Sequence, residues 1–322
     1  MATAAPTTVG APPSPGGDAG RKKPKKISDL KKLNRKDKLV VGAFLGVPLL
    51  LVLVLVVFPA IATVILSFGK WNGIGGLDQI EWIGTENYVN AATIYPPFWP
   101  AIQNNLVMLV FLFTVPTVLG MYLAVLLDRQ LRYSWFYETS FFMPVVLSLA
   151  LTGFIWQLIY SRDQGLINSI TGGTTDWYGD PSVNFYAVLV AQGWRHTGYI
   201  MLMYLAGLKG VDVALREAAL MDGCTERQTF FKIVFPVMKP INIIVLVITV
   251  IESLRAFDIV WVINKGRNGL ELIAALVTQN VSGEASRIGF ASALATIMLL
   301  ISTVFVIIYL RVVFRDEPGG SR

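Results

Sequence analysis

The sequence has one cysteine, Cys224, and one histidine, His196, among its 322 residues. A single cysteine excludes an intrachain disulfide, and a single histidine excludes a histidine-rich metal site. Charged residues are scarce too, at 15% of the chain against about a quarter in a typical soluble domain, while 54% of the residues are hydrophobic. This composition argues against an ordinary cytosolic enzyme.

A phosphate-binding loop of the form G-x-x-x-x-G-K-[ST] is also missing. Gly69-Lys70 comes nearest to it, but the next residue is Trp71. The chain is therefore not expected to hydrolyse ATP alone.

The net charge of +6 belongs to one end of the chain. Residues 1–38 hold ten basic and three acidic residues, whereas the remainder holds 17 basic and 18 acidic ones. This distribution argues against nucleic acid as a partner and predicts a basic tail over 1–38. Its first 20 residues have a disorder-prone composition. Residues 21–38 either lie on an anionic membrane surface or form a solvated tail.

Six apolar segments predict an all-α integral membrane protein, because about 20 apolar residues are enough for a helix to cross a bilayer. The predicted spans are 39–68, 101–127, 135–160, 183–208, 241–263 and 288–310, which together form one domain over 39–311. Residues 270–281 form a further apolar segment that is too short to cross. Residues 312–322 are a predicted C-terminal tail.

Basic residues in the loops predict the orientation, since lysine and arginine favour the cytoplasmic side. With the N-terminus inside, the inner segments hold twenty basic residues and the outer segments four or five. Both termini and the loop 209–240 are therefore expected in the cytoplasm, with the spans in the cell membrane.

The loop 209–240 predicts two short helices joined by a turn. Residues 213–221 are strong helix formers, Asp222-Gly223 is typical of a helix end, and Thr225 can cap a second helix over 225–234. Pro236 ends that second helix before the fifth span.

The same loop resembles the cytoplasmic "EAA" signature of permease subunits in bacterial ABC importers. Every fixed position of the signature agrees except one, which has Phe235 where leucine is usual. The agreeing residues are Glu217-Ala218-Ala219, Gly223, Ile233 and Pro236, at the spacing of the signature. Residues 40–312 further resemble the carbohydrate branch, of the maltose-permease kind, although residues 266–269 depart from its usual Gly-Gly-Pro turn. The features that carry this wider likeness are Phe58-Pro59, Ser67-Phe68, Ile83-Gly84, Glu86-Asn87-Tyr88, Asn104-Asn105, Pro144, Gly165, Asn168, Trp194, Ala206-Gly207-Leu208 and Phe257-Asp258.

The resemblance implies a type I ABC importer permease fold whose loop 209–240 sits in a groove of a cytoplasmic ATPase. Glu217 would pair with a basic groove residue, Ala218 and Ala219 would permit close approach, and Gly223 would reverse the chain. Asp222 is either a helix cap or a second ionic contact. The implied partners are a second permease, two ATPase subunits and an external sugar-binding protein. ATP and magnesium would bind the ATPase, and this chain would hold no cofactor.

Polar residues within the spans are candidates for the substrate path, because an ionisable group in a bilayer should face a cavity or a partner. The candidates are Asn104, Asn105, Trp194, His196, Glu252, Arg255 and Asp258. The last three follow at i, i+3 and i+6. They either border a sugar path or form an ion-pair ladder within the protein. His196 is either a packed hydrogen-bonding residue or part of the path.

Other functions stay open at this point. They are the import of a solute other than a sugar, ion-coupled secondary transport through the charges of the fifth span, and the anchoring of other proteins to the membrane.

Overall fold

Helices dominate the structure, because a helix satisfies its own backbone hydrogen bonds where water is excluded. The computed structural model describes residues 35–129, 132–283 and 286–315. Its α-helices, in chain order, are α1 (Arg35–Val52), α2 (Phe58–Leu66), α3 (Glu86–Thr93), α4 (Phe98–Asp128), α5 (Ser134–Val146), α6 (Leu149–Ile159), α7 (Leu166–Thr171), α8 (Asn184–Lys209), α9 (Val213–Met221), α10 (Glu226–Thr229), α11 (Phe235–Val237), α12 (Lys239–Leu254), α13 (Asp258–Asn264), α14 (Ile273–Ser282) and α15 (Ile288–Arg315). Two π-helical segments, Leu53–Val57 and Phe230–Val234, and one 3₁₀ turn, Leu77–Gln79, complete the helical structure of these residues.

The two predicted tails are only partly within the described residues. α1 begins at Arg35, so the last residues of the predicted 1–38 tail are helical. α15 continues to Arg315, beyond the predicted end of the sixth span at 310. The disorder predicted for the first 20 residues, and residues 316–322, lie outside the described part.

The chain divides into two units, Met1–Val57 and Phe58–Arg322. In the first, the described residues are α1 and the π-helical segment that follows it, and their apolar side chains are exposed. The second unit contains the remaining elements. They include one short antiparallel pair, in which β1 (Gly69–Lys70) and β2 (Glu81–Trp82) place Gly69 opposite Trp82.

Helix length and composition allow up to six membrane spans among the described residues. Three single helices qualify: Lys38–Leu66, Phe98–Asp128 and Ile288–Ile308. Three bent pairs qualify when each is taken together: α5 with α6 at 102°, α8 with α9 at 73°, and Glu226–Val237 with Lys239–Asn264 at 74°. These regions overlap the six predicted spans. The segment predicted to be too short to cross is α14, which has 10 residues.

Two of the predicted spans are broken rather than continuous. The third is divided between α5 and α6, because the Ser148 backbone is extended and its hydroxyl accepts a hydrogen bond from the Leu151 N–H at 3.2 Å, which starts a new helix. The fifth is divided between α12 and α13 by residues 255–257. We call residues 255–257 the α12–α13 break.

Buried side chains form three apolar clusters that tie α4 to its neighbours in the second unit. One joins the C-terminal part of α4 to α8 and to residues 211–245. Another joins the middle of α4 to the start of α8, to α13 and to residues 270–275. The third joins the start of α4 to α3, α14 and α15. Helix α4 therefore contacts buried residues at three levels along its length.

Candidate functional site

The loop predicted to carry function folds as two helices around a glycine turn, as its sequence indicates. The Asp212 carboxylate starts α9 by accepting from the Ala214 N–H at 2.9 Å. α9 ends where Cys224 N–H donates to the Ala219 carbonyl and Gly223 N–H donates to the Leu220 carbonyl, both at 3.0 Å. This pair of bonds is a Schellman ending, which needs a left-handed residue, and Gly223 supplies it with φ +77°.

The second helix of the loop begins with a capping box. The Thr225 hydroxyl accepts from the Gln228 N–H at 3.3 Å, and the Gln228 side chain accepts from the Thr225 N–H at 2.9 Å. Helix α10 then passes into the π-helical turn and α11. The prediction that Pro236 ends this helix is wrong, because proline fits the first turn of α11 and the helical structure continues to Val237. We call residues 212–236 the motif hairpin.

Most of the predicted coupling residues lie on the surface of the motif hairpin, free to meet another protein. Those exposed are Glu217, Ala218, Asp222, Gly223 and Pro236. Ile233 is half-buried. Ala219 is only 2% exposed, so its side chain is buried within this protein. Its small size therefore serves packing rather than the approach of a partner. Asp222 occupies the C-cap position of α9.

Two ion pairs, which the sequence reasoning missed, attach the motif hairpin to the end of α4. The Arg216 guanidinium donates to Asp128 Oδ2 at 2.6 Å and to the Leu208 carbonyl at 2.9 Å. The Arg129 guanidinium donates to Glu226 Oε2 at 2.6 Å. The sequence does contain one indication of these pairs. Asp128 and Arg129 are adjacent and of opposite charge, and the hairpin offers a residue of opposite charge to each, Arg216 and Glu226.

Asn104 and Asn105, predicted to border a substrate path, form hydrogen bonds with backbone groups of this chain. The Asn105 side chain donates to the Ser253 carbonyl and accepts from the Ile273 N–H, each at 3.0 Å, and the residue is buried. Asn104 donates to the carbonyls of Gly269 and Glu271. Both asparagines therefore fix the segment before α14, and Asn105 also fixes the end of α12.

Glu252 pairs with a different residue from the one that its spacing suggests. Its carboxylate lies 3.5 Å from the Arg195 guanidinium of α8, with the two side chains 33% and 19% exposed. The predicted ladder of Glu252, Arg255 and Asp258 does not form on one helix, because the α12–α13 break interrupts it. Arg255 is the C-cap of α12, and Asp258 begins α13.

His196 is 1% exposed and packs against α12, where its Nε2 lies 3.1 Å from the Thr249 hydroxyl. That hydroxyl in turn donates to the Val245 carbonyl at 2.8 Å. The imidazole is thus a packed hydrogen-bonding group that joins two helices. Three or more His, Cys, Asp or Glu side chains do not come together as metal ligands within the described ranges.

Three of the four remaining path candidates line a very small cavity beside the α12–α13 break. It encloses about 20 Å³, and Gln192, Glu252, Arg255 and Asp258 contribute its polar lining. This volume suits about one water molecule, so the cavity is closed to a sugar in this conformation. Trp194 is not among the residues that line this cavity, and it is 40% exposed.

An aromatic cluster continues from Trp194 into the 160–178 region, and the sequence reasoning did not include it. Trp156 meets Trp194 edge-on with ring centroids 5.8 Å apart. Tyr160 contacts Trp156, Trp177 and Tyr178 at 5.2 to 5.5 Å. Trp156 and Tyr160 have the i, i+4 spacing of one helix, but Trp177 and Tyr178 lie in a separate segment, so sequence spacing does not indicate the whole cluster.

Two groups between α7 and α8 have shifted pKa values. Burial raises the pKa of the Tyr178 hydroxyl above its usual range, with a further rise from Tyr160. Hydrogen bonds from the Ser182 side chain and backbone lower the pKa of the exposed Asp180 carboxyl. Neither group lies in a predicted span.

The sequence is similar to permeases from several organisms. Residues 117–315 match the family described as binding-protein-dependent transport system inner membrane component. The xylose/arabinose import permease protein of Haloferax volcanii is 30% identical over 263 residues, covering 79% of this chain and 81% of that protein. The trehalose/maltose transport system permease protein of Thermococcus litoralis is 30% identical over 281 residues, covering 84% of this chain and 92% of that protein.

Solved structures with the same fold include a bacterial ABC transporter involved in the import of the acidic polysaccharide alginate. Its matching chain has a TM-score of 0.75 at 19% identity, over 88% of this chain and 98% of that one. A second structure, of the alginate transporter in complex with its alginate pentasaccharide-bound periplasmic protein, matches with a TM-score of 0.73 at 18% identity, over 89% of this chain and 98% of that one. At these identities the likeness establishes the fold.

Proposed function

Because the chain belongs to the family of binding-protein-dependent transport system inner membrane components, we propose that it is one of two permease subunits of an ATP-driven sugar importer. The sugar class rests on the relatives, whose names refer to xylose and arabinose and to trehalose and maltose. The substrate is accordingly a sugar or an oligosaccharide, delivered by an external binding protein. ATP and magnesium bind a separate ATPase.

The observation that carries this proposal is the motif hairpin. Its exposed surface combines the Glu217 carboxylate with apolar side chains, among them Met221 at 88% exposure and Val213 at 63%. An exposed apolar surface around a charged group is typical of a protein interface rather than of a free loop. We propose that this surface enters a groove of the ATPase subunit, and that the hairpin faces the cytoplasm, as the distribution of basic residues predicts.

The proposed substrate path passes the α12–α13 break. Arg255 is exposed, and Glu252 and Asp258 are partly exposed, so their polar atoms remain available to hydroxyl groups. Trp194 offers an indole face on which a sugar ring can stack. Asn105 and His196 have their side chains engaged within the protein and act as supports of the path. Opening of the small cavity beside the break would accompany transport.

Charge reversal at Glu217 tests the proposal. Glu217→Lys should abolish uptake and reduce co-purification of the ATPase subunit, because a cation then meets the basic groove. The matched control is Asp163→Lys, the same charge change at an exposed carboxylate between α6 and α7, outside the hairpin, which should leave both unchanged.

Three outcomes would contradict the proposal. One is recovery of the intact chain from membranes without any ATPase subunit. Another is Glu217→Lys supporting uptake and ATPase binding at the level of the control. The third is uptake that survives ATP depletion and collapses with an ion gradient, which indicates an ion-coupled transporter instead. Calorimetry on the co-purified binding protein then identifies the sugar, or shows a different class of solute.

A further inference from the structure

Helix α4 is attached at one end to the motif hairpin and at the other end to the α12–α13 break. We propose that α4 transmits movement of the hairpin to the break, with Asp128 and Arg129 as the residues that position the hairpin on it. This inference rests on the proposed function, because it assumes that an ATPase moves the hairpin.

At the hairpin end, two neighbouring residues hold both helices of the hairpin. Asp128 binds Arg216 of α9, and Arg129 binds Glu226 of α10, with N–O distances of 2.6 Å in both pairs. The Asp128 and Arg216 side chains are 16% and 31% exposed, whereas the other pair is largely exposed. Since partly buried pairs are screened less than exposed ones, the Asp128–Arg216 pair is the stronger attachment.

Arg216 also binds the end of α8, through the Leu208 carbonyl. Its two terminal nitrogens therefore join three elements: α4, α8 and α9. Arg216 immediately precedes Glu217, the residue proposed to meet the ATPase. A displacement of Glu217 by the ATPase thus acts one residue away from the attachment.

Helices α4 and α8 are packed closely enough to move together. A Cβ atom on Gly120 of α4 would lie 2.8 Å from the Thr197 carbonyl oxygen and 3.0 Å from the Ile200 side chain. A Cβ atom on Gly193 of α8 would lie 2.9 Å from the Phe111 ring. Small residues at a helix contact allow the backbones to approach, and such interfaces resist sliding.

At the opposite end of α4, Asn105 binds the Ser253 carbonyl, two residues before the α12–α13 break. It also binds the Ile273 N–H, while Asn104 binds the carbonyls of Gly269 and Glu271. At 1.5 Å per residue, the distance along α4 from Asn105 to Asp128 is about 35 Å, which exceeds the thickness of a bilayer core. One continuous helix therefore joins the two regions across the membrane.

Two experiments test the inference. One swaps the charges of Asp128 and Arg216 and measures uptake, and the other measures hydrogen–deuterium exchange in the purified complex with and without ATP. Asp128→Arg and Arg216→Asp should each reduce uptake about tenfold, and the double variant should restore most of it because the ion pair re-forms with reversed polarity. Arg132→Asp is the matched control, since Arg132 is an exposed cation that makes no ion pair among the described residues.

The exchange measurement separates this inference from the proposed function. In the unmodified complex, residues 213–223 should be protected by the ATPase, and residues 253–258 and 269–273 should change exchange rate when ATP binds. Either single variant should keep the protection of 213–223 but lose the ATP response at 253–258, and the double variant should regain it.

Two results would overturn the inference: an ATP response at 253–258 that persists in both single variants, or a double variant that transports no better than the single ones. If residues 213–223 show no protection by the ATPase in the unmodified complex, the proposed function fails, and this inference fails with it.

Discussion

The turn of the motif hairpin offers a quantitative test of how much its geometry matters. Gly223 has φ +77°, and a Cβ atom placed on it would have no neighbour within 4 Å. Gly223→Ala is therefore opposed only by the left-handed backbone, which costs about 1–2 kcal/mol for an L-residue. The smaller freedom of alanine in the unfolded chain offsets about 0.4–1 kcal/mol of this cost, leaving a net loss of about 1 kcal/mol.

The chain contains a matched control for this substitution. Gly172, which ends α7, has φ +68° and an equally open Cβ position. Gly172→Ala should therefore carry the same conformational cost at a site outside the hairpin. In detergent, both variants should lower the midpoint of thermal unfolding by a similar few degrees.

Transport should distinguish the two variants. A strain of about 1 kcal/mol lowers the ratio of native to non-native turn about fivefold, so Gly223→Ala should reduce uptake into proteoliposomes by up to about fivefold, while Gly172→Ala should not reduce it. Gly223→Asn should retain near-normal uptake, because asparagine adopts the left-handed conformation more readily than alanine. Equal uptake by the two alanine variants would refute the reasoning that the turn positions the coupling surface.

Three further predictions concern residues outside the hairpin. Asn105→Ala removes two buried hydrogen bonds and should destabilise the protein by about 2–4 kcal/mol, measured as a lower unfolding midpoint. An unchanged midpoint would contradict the view that Asn105 joins α12 to α14. Arg195→Met should destabilise by about 1–3 kcal/mol, and adding Glu252→Gln should recover most of that loss if the two side chains are paired. The raised pKa of Tyr178 predicts that stability is lost as pH rises above about 10. Above that pH the unfolded chain releases the phenolic proton while the folded chain retains it. Tyr178→Phe should therefore weaken the pH dependence of the unfolding midpoint, measured by thermal unfolding over a series of pH values.

The conformation of the motif hairpin could be predicted from the sequence because its determinants are local. Asp212 caps α9 two residues away, Thr225 and Gln228 are three residues apart, and Gly223 acts through its own φ angle. The apolar runs likewise predict the regions of the six candidate spans, since the length and hydropathy of a segment decide whether it can cross. The broken third span was harder to predict, because the cap at Ser148 interrupts an apolar run without any change in hydropathy.

The contacts of the polar side chains could not be predicted in the same way, because their partners are distant in the sequence. Arg195 and Glu252 are 57 residues apart, Arg216 and Asp128 are 88 apart, and Asn105 and Ile273 are 168 apart. Within one helix, the spacing of Glu252 and Arg255 favours a local ion pair. The fold gives Glu252 a partner on α8 instead, and α12 ends at Leu254, with Arg255 as its C-cap.

There is a physical reason why Glu252 pairs with Arg195 on another helix rather than with Arg255 near its own. A charge within a membrane span must be neutralised or hydrated, and a partner on a neighbouring helix can do this while also fixing how the two helices pack. The Arg195–Glu252 pair and the His196–Thr249 hydrogen bond both join α8 to α12, and they involve adjacent residues on α8. Polar residues predicted to border the solute path thus also hold α8 and α12 together. Residues in the spans therefore fall into two sets: engaged groups, such as His196, whose substitution should act on stability, and partly exposed groups, such as Asp258, whose substitution should act on transport.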